Sequence, residues 1–272
     1  MHSLIHLIYQ NSVIVYFTLT FMISWGAVLL VAGPGGIPPS DLDQAVSLGL
    51  VLLLGPSTAS LLMISLILGS VGVRDLGCRL VRWRVRLYWY LIALLTPPLL
   101  SLVVLLLLFS VVSTEFTPRI FTSNDTMSLV QLGIMGGIIV AFLEELGWTG
   151  FALPKMRKQK NDVFRTGLIL GLIWGAWHFI LFWESDTFSG QVFPFLLLVV
   201  RLFSWLPAYR ILMVWVYSRT ESLLIIILMH MSLVLTMTII DPELGGWSLL
   251  SFILARAAIL WIFACALRHM LV

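Results

Sequence analysis

Long apolar runs, separated by short polar or turn-rich connections, constrain this chain more than any other feature. A helix that crosses the hydrocarbon core of a bilayer needs about 20 predominantly apolar residues. Runs of that kind lie at 12–33, 45–70, 88–113, 128–153, 164–183, 192–217, 222–240 and 248–267. Hydrophobic residues make up 60% of the 272 residues and charged residues 11%, whereas a soluble domain carries about 25% charged residues. The sequence therefore predicts an all-α, polytopic transmembrane helical bundle of about eight spans, forming a single integral membrane domain over residues 1–272.

The distribution of basic residues gives an independent test of this map, because Lys and Arg collect on the cytoplasmic side of a membrane protein. Alternating the connections between the two sides places most of them on the side of the N-terminus: Arg74, Arg79, Arg82, Arg84, Arg86, Lys155, Arg157, Lys158, Lys160, Arg165, Arg219 and Arg268. Among the connections of the opposite side, Arg119 is the basic residue, and acids such as Asp41, Glu115 and Glu184 predominate. We therefore expect both termini to be cytoplasmic.

The densest basic stretch runs from Arg74 to Arg86. It is either a loop that sets the topology or an amphipathic segment that lies along the lipid headgroups. No basic stripe with interleaved aromatic residues indicates nucleic acid, so the expected surroundings are the lipid bilayer. Cys78 and Cys265 are far apart and lack metal-ligand spacing.

Seven ionisable side chains fall inside the predicted spans, where each charge costs about 3 kcal/mol on insertion scales. They are Glu144, Glu145, His178, Arg201, Arg210, His230 and Arg256. Such residues persist when they face the bundle interior and find partners, and by default they mark a functional site.

Helix rise places four of these side chains at nearly one depth. At 1.5 Å per residue, Glu144 and Glu145 lie roughly 14–16 Å above the cytoplasmic end of their span, His178 roughly 18–20 Å and His230 roughly 14–16 Å. Trp174 lies one turn before His178 on the same face, where it could wall the imidazole. We therefore expect three helices to bring a pair of acids and two imidazoles together.

Each element also has a structural interpretation. The Glu pair could neutralise Arg201 or Arg210, and an intramembrane His often only bonds a neighbouring helix. In the functional interpretation, a carboxylate beside a neutral imidazole takes a proton from water. Two His plus Glu could also ligate zinc, but an HExxH motif is absent, and water activation without metal fits the same residues. No metal ligand is assigned, and the cofactor stays unknown, with a divalent metal open.

Three short motifs resemble those of the CPBP (Abi) family of CAAX-processing and bacteriocin-processing intramembrane proteases. The first is Glu144-Glu145-Leu-Gly-Trp-Thr-Gly150, similar to the EELGWRG of prokaryotic members. The second is Trp174-Gly-Ala-Trp-His178, an aromatic residue four before His. The third is His230-Met-Ser-Leu-Val234, which follows the similar run 216–223. The resemblance covers approximately residues 128–240, with the motifs in the family's order.

The resemblance implies an endopeptidase in which the first Glu and the second-motif His activate water, while the third-motif His and its Asn hold the oxyanion. Glu144, assisted by Glu145, and His178 and His230 match these positions. The expected substrate is a hydrophobic peptide or a membrane protein, and the expected location is a prokaryotic plasma membrane. The sequence predicts neither the substrate's identity nor the oligomeric state.

Two positions depart from the family pattern. Thr149 replaces the family's Arg, and Val234 replaces its Asn or Asp. Loss of an oxyanion donor costs about 10²–10³ in rate. We hypothesise that Arg210, beside a kink expected at Pro207, supplies the cation absent from position 149.

Two other functions remain open. A weakened or inactive family member could act as an immunity or scaffold protein, which the departures at Thr149 and Val234 favour. A transporter could use intramembrane acids and histidines to relay protons, although the sequence has no inverted repeat.

Overall fold

The computed structural model describes residues 8–33, 37–112, 114–159, 162–182 and 186–271, and within these ranges the chain is helical with no β-strand. The helices are α1 (Ser12–Ala32), α2 (Leu42–Leu52), α3 (Leu54–Leu80), α4 (Leu87–Val111), α5 (Arg119–Thr122), α6 (Thr126–Gly147), α7 (Leu153–Gln159), α8 (Val163–Phe182), α9 (Val192–Phe203), α10 (Leu206–Thr220), α11 (Leu223–Ile239) and α12 (Gly246–Leu271). A π-helical segment, Trp148–Ala152, joins α6 to α7, and a 3₁₀ turn spans Thr114–Phe116. The all-α fold class is confirmed.

Seven of the eight predicted membrane spans coincide with helical stretches long enough to cross a bilayer. Among the described helices, seven stretches are long and apolar enough to cross a bilayer, and α11 is a shorter apolar helix of 17 residues. That length is at the lower limit for a span. The chain is therefore a multi-pass integral membrane protein. Some predicted features lie outside the described residues. They are the two span boundaries at Ser113 and Trp183, the charges of Lys160 and Glu184, residues 1–7 and Val272.

Two predicted spans are broken helices. The second splits at Leu53 into α2 and α3, and α3 continues to Leu80 past a non-helical Gly69 with φ of 58°. The second span itself begins at Leu42, before the predicted start at residue 45. The sixth splits at Ser204 and Trp205, so the kink expected at Pro207 is instead a helix start. Proline is tolerated there because the amide that it lacks has no partner in the first turn.

Several of the described helices begin with side-chain caps that fit their sequence. The carboxylate of Asp41 accepts from the amide of Gln44 at 2.8 Å, and that of Asp125 accepts from the amide of Ser128 at 2.9 Å. Ser222 caps α11 by accepting from the amide of Ile225. Hydrogen bonds donated to a carboxylate favour its ionised form. The hydroxyl and the amide of Ser128 therefore lower the pKa of Asp125.

Close helix approach at glycines positions the polar centre. α8 packs against α10 along Gly167, Gly171 and Gly175, and a Cβ at Gly171 would lie 2.4 Å from the Cα of Pro207. α6 packs against α11 and α3, and a Cβ at Gly147 would lie 2.5 Å from the carbonyl oxygen of Pro56. Small residues at these contacts let backbones approach closely, as is common in membrane bundles. The three helices that carry the acids and histidines are therefore held at short range.

Candidate active site

Glu145 is the centre of a buried polar network that joins three helices. Its carboxylate oxygens lie 2.9 and 3.0 Å from Nη1 of Arg210, which comes from α10. His230 of α11 donates from Nδ1 to Glu145 Oε1 at 2.8 Å, and the hydroxyl of Thr149 donates to Oε2. Glu145 and Arg210 are fully buried. Glu145 is thus saturated by donors, and one cation balances its charge.

Glu144 has different surroundings. Its Oε2 accepts from the indole nitrogens of Trp174 at 2.6 Å and Trp148 at 3.2 Å. Its Oε1 lies 3.9 Å from Nε2 of His178. Among the described residues, no Lys or Arg side chain lies within 4.0 Å of this carboxylate. The structural interpretation of the Glu pair, charge neutralisation, therefore accounts for Glu145 and leaves Glu144 unexplained.

His178 is oriented by the backbone of its own helix. Its Nδ1 lies 2.8 Å from the carbonyl oxygen of Trp174, and since a carbonyl only accepts, Nδ1 carries the proton. In the neutral ring, Nε2 then presents its lone pair towards Glu144. The His178 side chain is 16% exposed, against 2% for Glu144 and 3% for His230. Access to the polar centre is therefore greatest beside His178.

An aromatic wall surrounds the two imidazoles. The Trp174 ring meets the rings of His178 and His230 edge-on at 5.4 and 5.3 Å, and the guanidinium of Arg210 lies 4.6 Å from its centroid. Trp177 contacts His178 at 4.8 Å and donates to Ser24 Oγ at 2.8 Å. Trp174 thus touches every charged or titratable group of the cluster except Glu145.

The structure brings together all seven side chains that the sequence selected: Glu144, Glu145, Thr149, Trp174, His178, Arg210 and His230. The other intramembrane arginines lie elsewhere. Arg256 bonds Asp241 and Ser101, and the guanidinium of Arg201 lies 4.7 Å from the Phe182 ring. Thr149 and Arg210 both donate to Glu145.

Sequence reasoning missed Trp148 as a partner of Glu144. The sequence contains the signal for this contact. Trp148 lies four residues after Glu144, and Thr149 lies four after Glu145, so helical periodicity places both side chains on the same face as the acids. The following π-helical turn also begins at Trp148, and such turns are frequent at functional sites.

The donor geometry does not fit a bound metal. Among the described residues, no group of three or more His, Cys, Asp and Glu side chains is arranged to hold a metal ion. Both oxygens of Glu145 already accept from Arg210, whose positive charge opposes a second cation. We therefore derive no catalytic step through a metal.

Fold and site together define a class: a multi-pass helical membrane protein with a buried Glu-His centre formed by helices α6, α8, α10 and α11. Comparison with known proteins narrows this class. Residues 125–236 match the family model of the type II CAAX prenyl endopeptidase, Rce1-like. This range contains all seven site residues, and the match confirms the resemblance that the three motifs predict.

One curated relative is similar over a shorter stretch of the chain. It is named CAAX prenyl protease 2, from Methanococcus maripaludis, and it is 26% identical over 81 residues. The match covers 30% of this chain and spans 24% of the relative's length. The activity and substrates of the whole protein are therefore matters for proposal.

Proposed function

We propose that this chain is an intramembrane endopeptidase in which Glu144 and His178 activate a water molecule. The observation that carries the proposal is the geometry of Glu144. Two indole donors hold Oε2, no Lys or Arg side chain of the described residues neutralises the carboxylate, and Oε1 faces the lone pair of His178 Nε2 at 3.9 Å. A purely structural carboxylate at this depth would be paired with a cation.

The separation of Oε1 and Nε2 suits a shared water. It is too long for a direct hydrogen bond, but a water that donates to both atoms would be held with an oxygen lone pair directed away from them. Glu144 takes a proton as the water oxygen attacks the peptide carbonyl carbon. The same proton then passes to the leaving amine, so the carboxyl group acts first as base and then as acid.

Glu145 acts in this proposal as a positioning residue. Its contacts with Arg210, Thr149 and His230 fix α6, α10 and α11 relative to one another. We propose that Arg210 supplies the cation that the family carries at position 149. Arg210 reaches the Glu145 carboxylate from α10, whereas position 149 reaches it from the turn after α6. The replacement of the family's Arg by Thr149 therefore changes which helix supplies the positive charge, and the charge stays beside Glu145.

His230 is the proposed oxyanion donor, and its protonation follows from its partner. Since Nδ1 donates to Glu145 at 2.8 Å, Nε2 can donate only when the ring carries both protons. Val234 adds no donor at the family's Asn position, so we expect slow turnover.

The second candidate, a non-catalytic immunity or scaffold protein, is favoured by the Val234 departure. It predicts that the polar centre serves stability alone. In that case a Glu144→Gln variant would keep any biological effect of the protein.

The substrate class follows from the relative's name and from the site's depth. We propose that a hydrophobic peptide or the end of a membrane-embedded helix enters beside His178, in a prokaryotic plasma membrane. The relative's name points to prenylated CAAX tails as one substrate to test.

The test is cleavage of fluorogenic apolar peptides, with and without a prenylated CAAX end, by purified protein in detergent. Glu144→Gln should lower the rate about 10²–10⁴-fold, because a general base contributes that much. Glu243→Gln is the matched control, since Glu243 is exposed and paired with Arg119. Each reaction is repeated with a chelator, which should leave the rate unchanged. Equal rates for Glu144→Gln and wild type would reject the proposal.

A further inference from the structure

A second site lies away from the polar centre, where α4 begins and α10 ends. It is an open cavity of about 590 Å³, within the range of ligand pockets. Four arginines line it: Arg82, Arg84, Arg86 and Arg219. None of the described residues that line it is acidic. The cavity therefore concentrates positive charge contributed by two separate segments of the chain.

The backbone beneath the arginines is fixed from both sides. The hydroxyl of Ser222, at the start of α11, donates to the carbonyl oxygen of Arg82 at 2.6 Å. The hydroxyl of Tyr90, in α4, donates to the carbonyl oxygen of Trp83 at 2.6 Å. The turn 81–86 is thus bonded to two helices, which fixes the backbone that carries its arginines. Since α3 ends at Leu80, the helical part of the basic stretch is limited to its first residues, and Arg82, Arg84 and Arg86 lie in the turn.

Charge balance distinguishes the four arginines. Arg82 is paired with Glu221 at 3.1 Å, and Arg84 lies 5.2 Å from the Trp83 ring. Among the described residues, no carboxylate lies within 4.0 Å of Arg86 or Arg219. Two exposed cations therefore face the cavity without a countercharge from the protein.

Aromatic residues show the level of the cavity in the membrane. Tyr88 and Trp89 line it, and the nearby Trp83 is 61% exposed. Tyr and Trp collect at the headgroup level of membrane proteins. The arginine distribution predicts that this end is cytoplasmic, and the cytoplasmic leaflet carries the anionic lipids.

We propose that this cavity binds the phosphate-bearing headgroup of an anionic phospholipid, with Arg86 and Arg219 on the phosphate and Tyr88 beside the glycerol. Arg pairs with phosphate through two parallel N–H donors. A topology signal alone would need only the number of positive charges on this side. A binding site needs these two arginines in this place, which makes the two interpretations separable.

The test compares lipid affinities of the full chain in a neutral detergent by native mass spectrometry. Phosphatidylglycerol, phosphatidylcholine and inorganic phosphate are titrated separately. The pocket variant is Arg86→Gln/Arg219→Gln. The control variant is Arg74→Gln/Arg165→Gln, which removes two exposed arginines of the same predicted side that do not line the cavity. Unfolding midpoints without lipid establish that both variants are folded.

We expect wild type to prefer phosphatidylglycerol over phosphatidylcholine by about tenfold or more. Each arginine near an anionic lipid contributes about fivefold in affinity, so the pocket variant should bind about 25-fold more weakly while the control variant binds like wild type. Equal losses in the two variants, or no preference between the lipids, would overturn the site. Inorganic phosphate binding as tightly as phosphatidylglycerol would overturn the lipid as its source.

Discussion

Replacement of Arg210 by Met should destabilise the protein strongly, because it leaves the Glu145 carboxylate buried without its cation. Both side chains are fully buried, and Nη1 contacts both carboxylate oxygens at 2.9 and 3.0 Å. Removal of one partner of a buried ion pair costs about 3–5 kcal/mol. Thr149 and His230 still donate to Glu145 in the variant, so we expect a value near the lower limit, about 3 kcal/mol.

The assay is thermal unfolding of the purified protein in detergent, followed by tryptophan fluorescence. A loss of 3 kcal/mol corresponds to a midpoint lowered by about 6–12 °C for a chain of this size. The matched control is Arg219→Met, since Arg219 is exposed and such substitutions change stability by less than about 0.5 kcal/mol.

A companion variant separates lost charge balance from lost packing. Glu145→Gln in the Arg210→Met background removes the uncompensated carboxylate, so the double variant should unfold at a higher temperature than Arg210→Met alone. Equal midpoints for Arg210→Met and Arg219→Met would refute the reasoning, as would a double variant less stable than Arg210→Met.

Three further predictions follow from single contacts. Gly171→Ala should destabilise by about 1–3 kcal/mol because its Cβ would lie 2.4 Å from Pro207 Cα, whereas Gly136→Ala, with no atom within 4 Å, should be neutral in the same unfolding assay. Trp174→Phe removes the indole donor to Glu144 but keeps a ring, so it should lower kcat about tenfold or more and destabilise the protein by about 1–3 kcal/mol; Trp261→Phe, whose indole bonds Ser204, should keep kcat. Val234→Asn should raise kcat about tenfold or more by restoring a donor, and a gain that survives Glu144→Gln would contradict its assignment to this site.

The sequence predicts the depth of the polar residues well because helix rise is constant. The sequence predicts that Glu144, His178 and His230 lie near one level, and in the structure they contact one another directly or through Trp174. The sequence leaves Arg201 and Arg210 open as the cation that neutralises the Glu pair, because Arg210 reaches Glu145 only after the break before α10. Such breaks depend on packing between helices as well as on proline, and the sequence therefore misplaced this one.

Other contacts depend on distant parts of the chain and left no local signal. Arg256 was an unexplained charge in its span, and it bonds Asp241 from a connection and Ser101 from α4. The arginine turn 81–86 is held by Ser222, 140 residues away in sequence from Arg82. In contrast, the Trp148 contact with Glu144 follows helical periodicity and could have been predicted.

The most direct test of the central claim measures whether Glu144 and His178 act as one unit. Peptide cleavage rates are compared for wild type, Glu144→Gln, His178→Ala and the double variant, with Glu243→Gln as the control. If His178 holds the water that Glu144 deprotonates, the double variant should be no slower than the slower single variant. Losses that multiply in the double variant would show independent roles and would contradict the account.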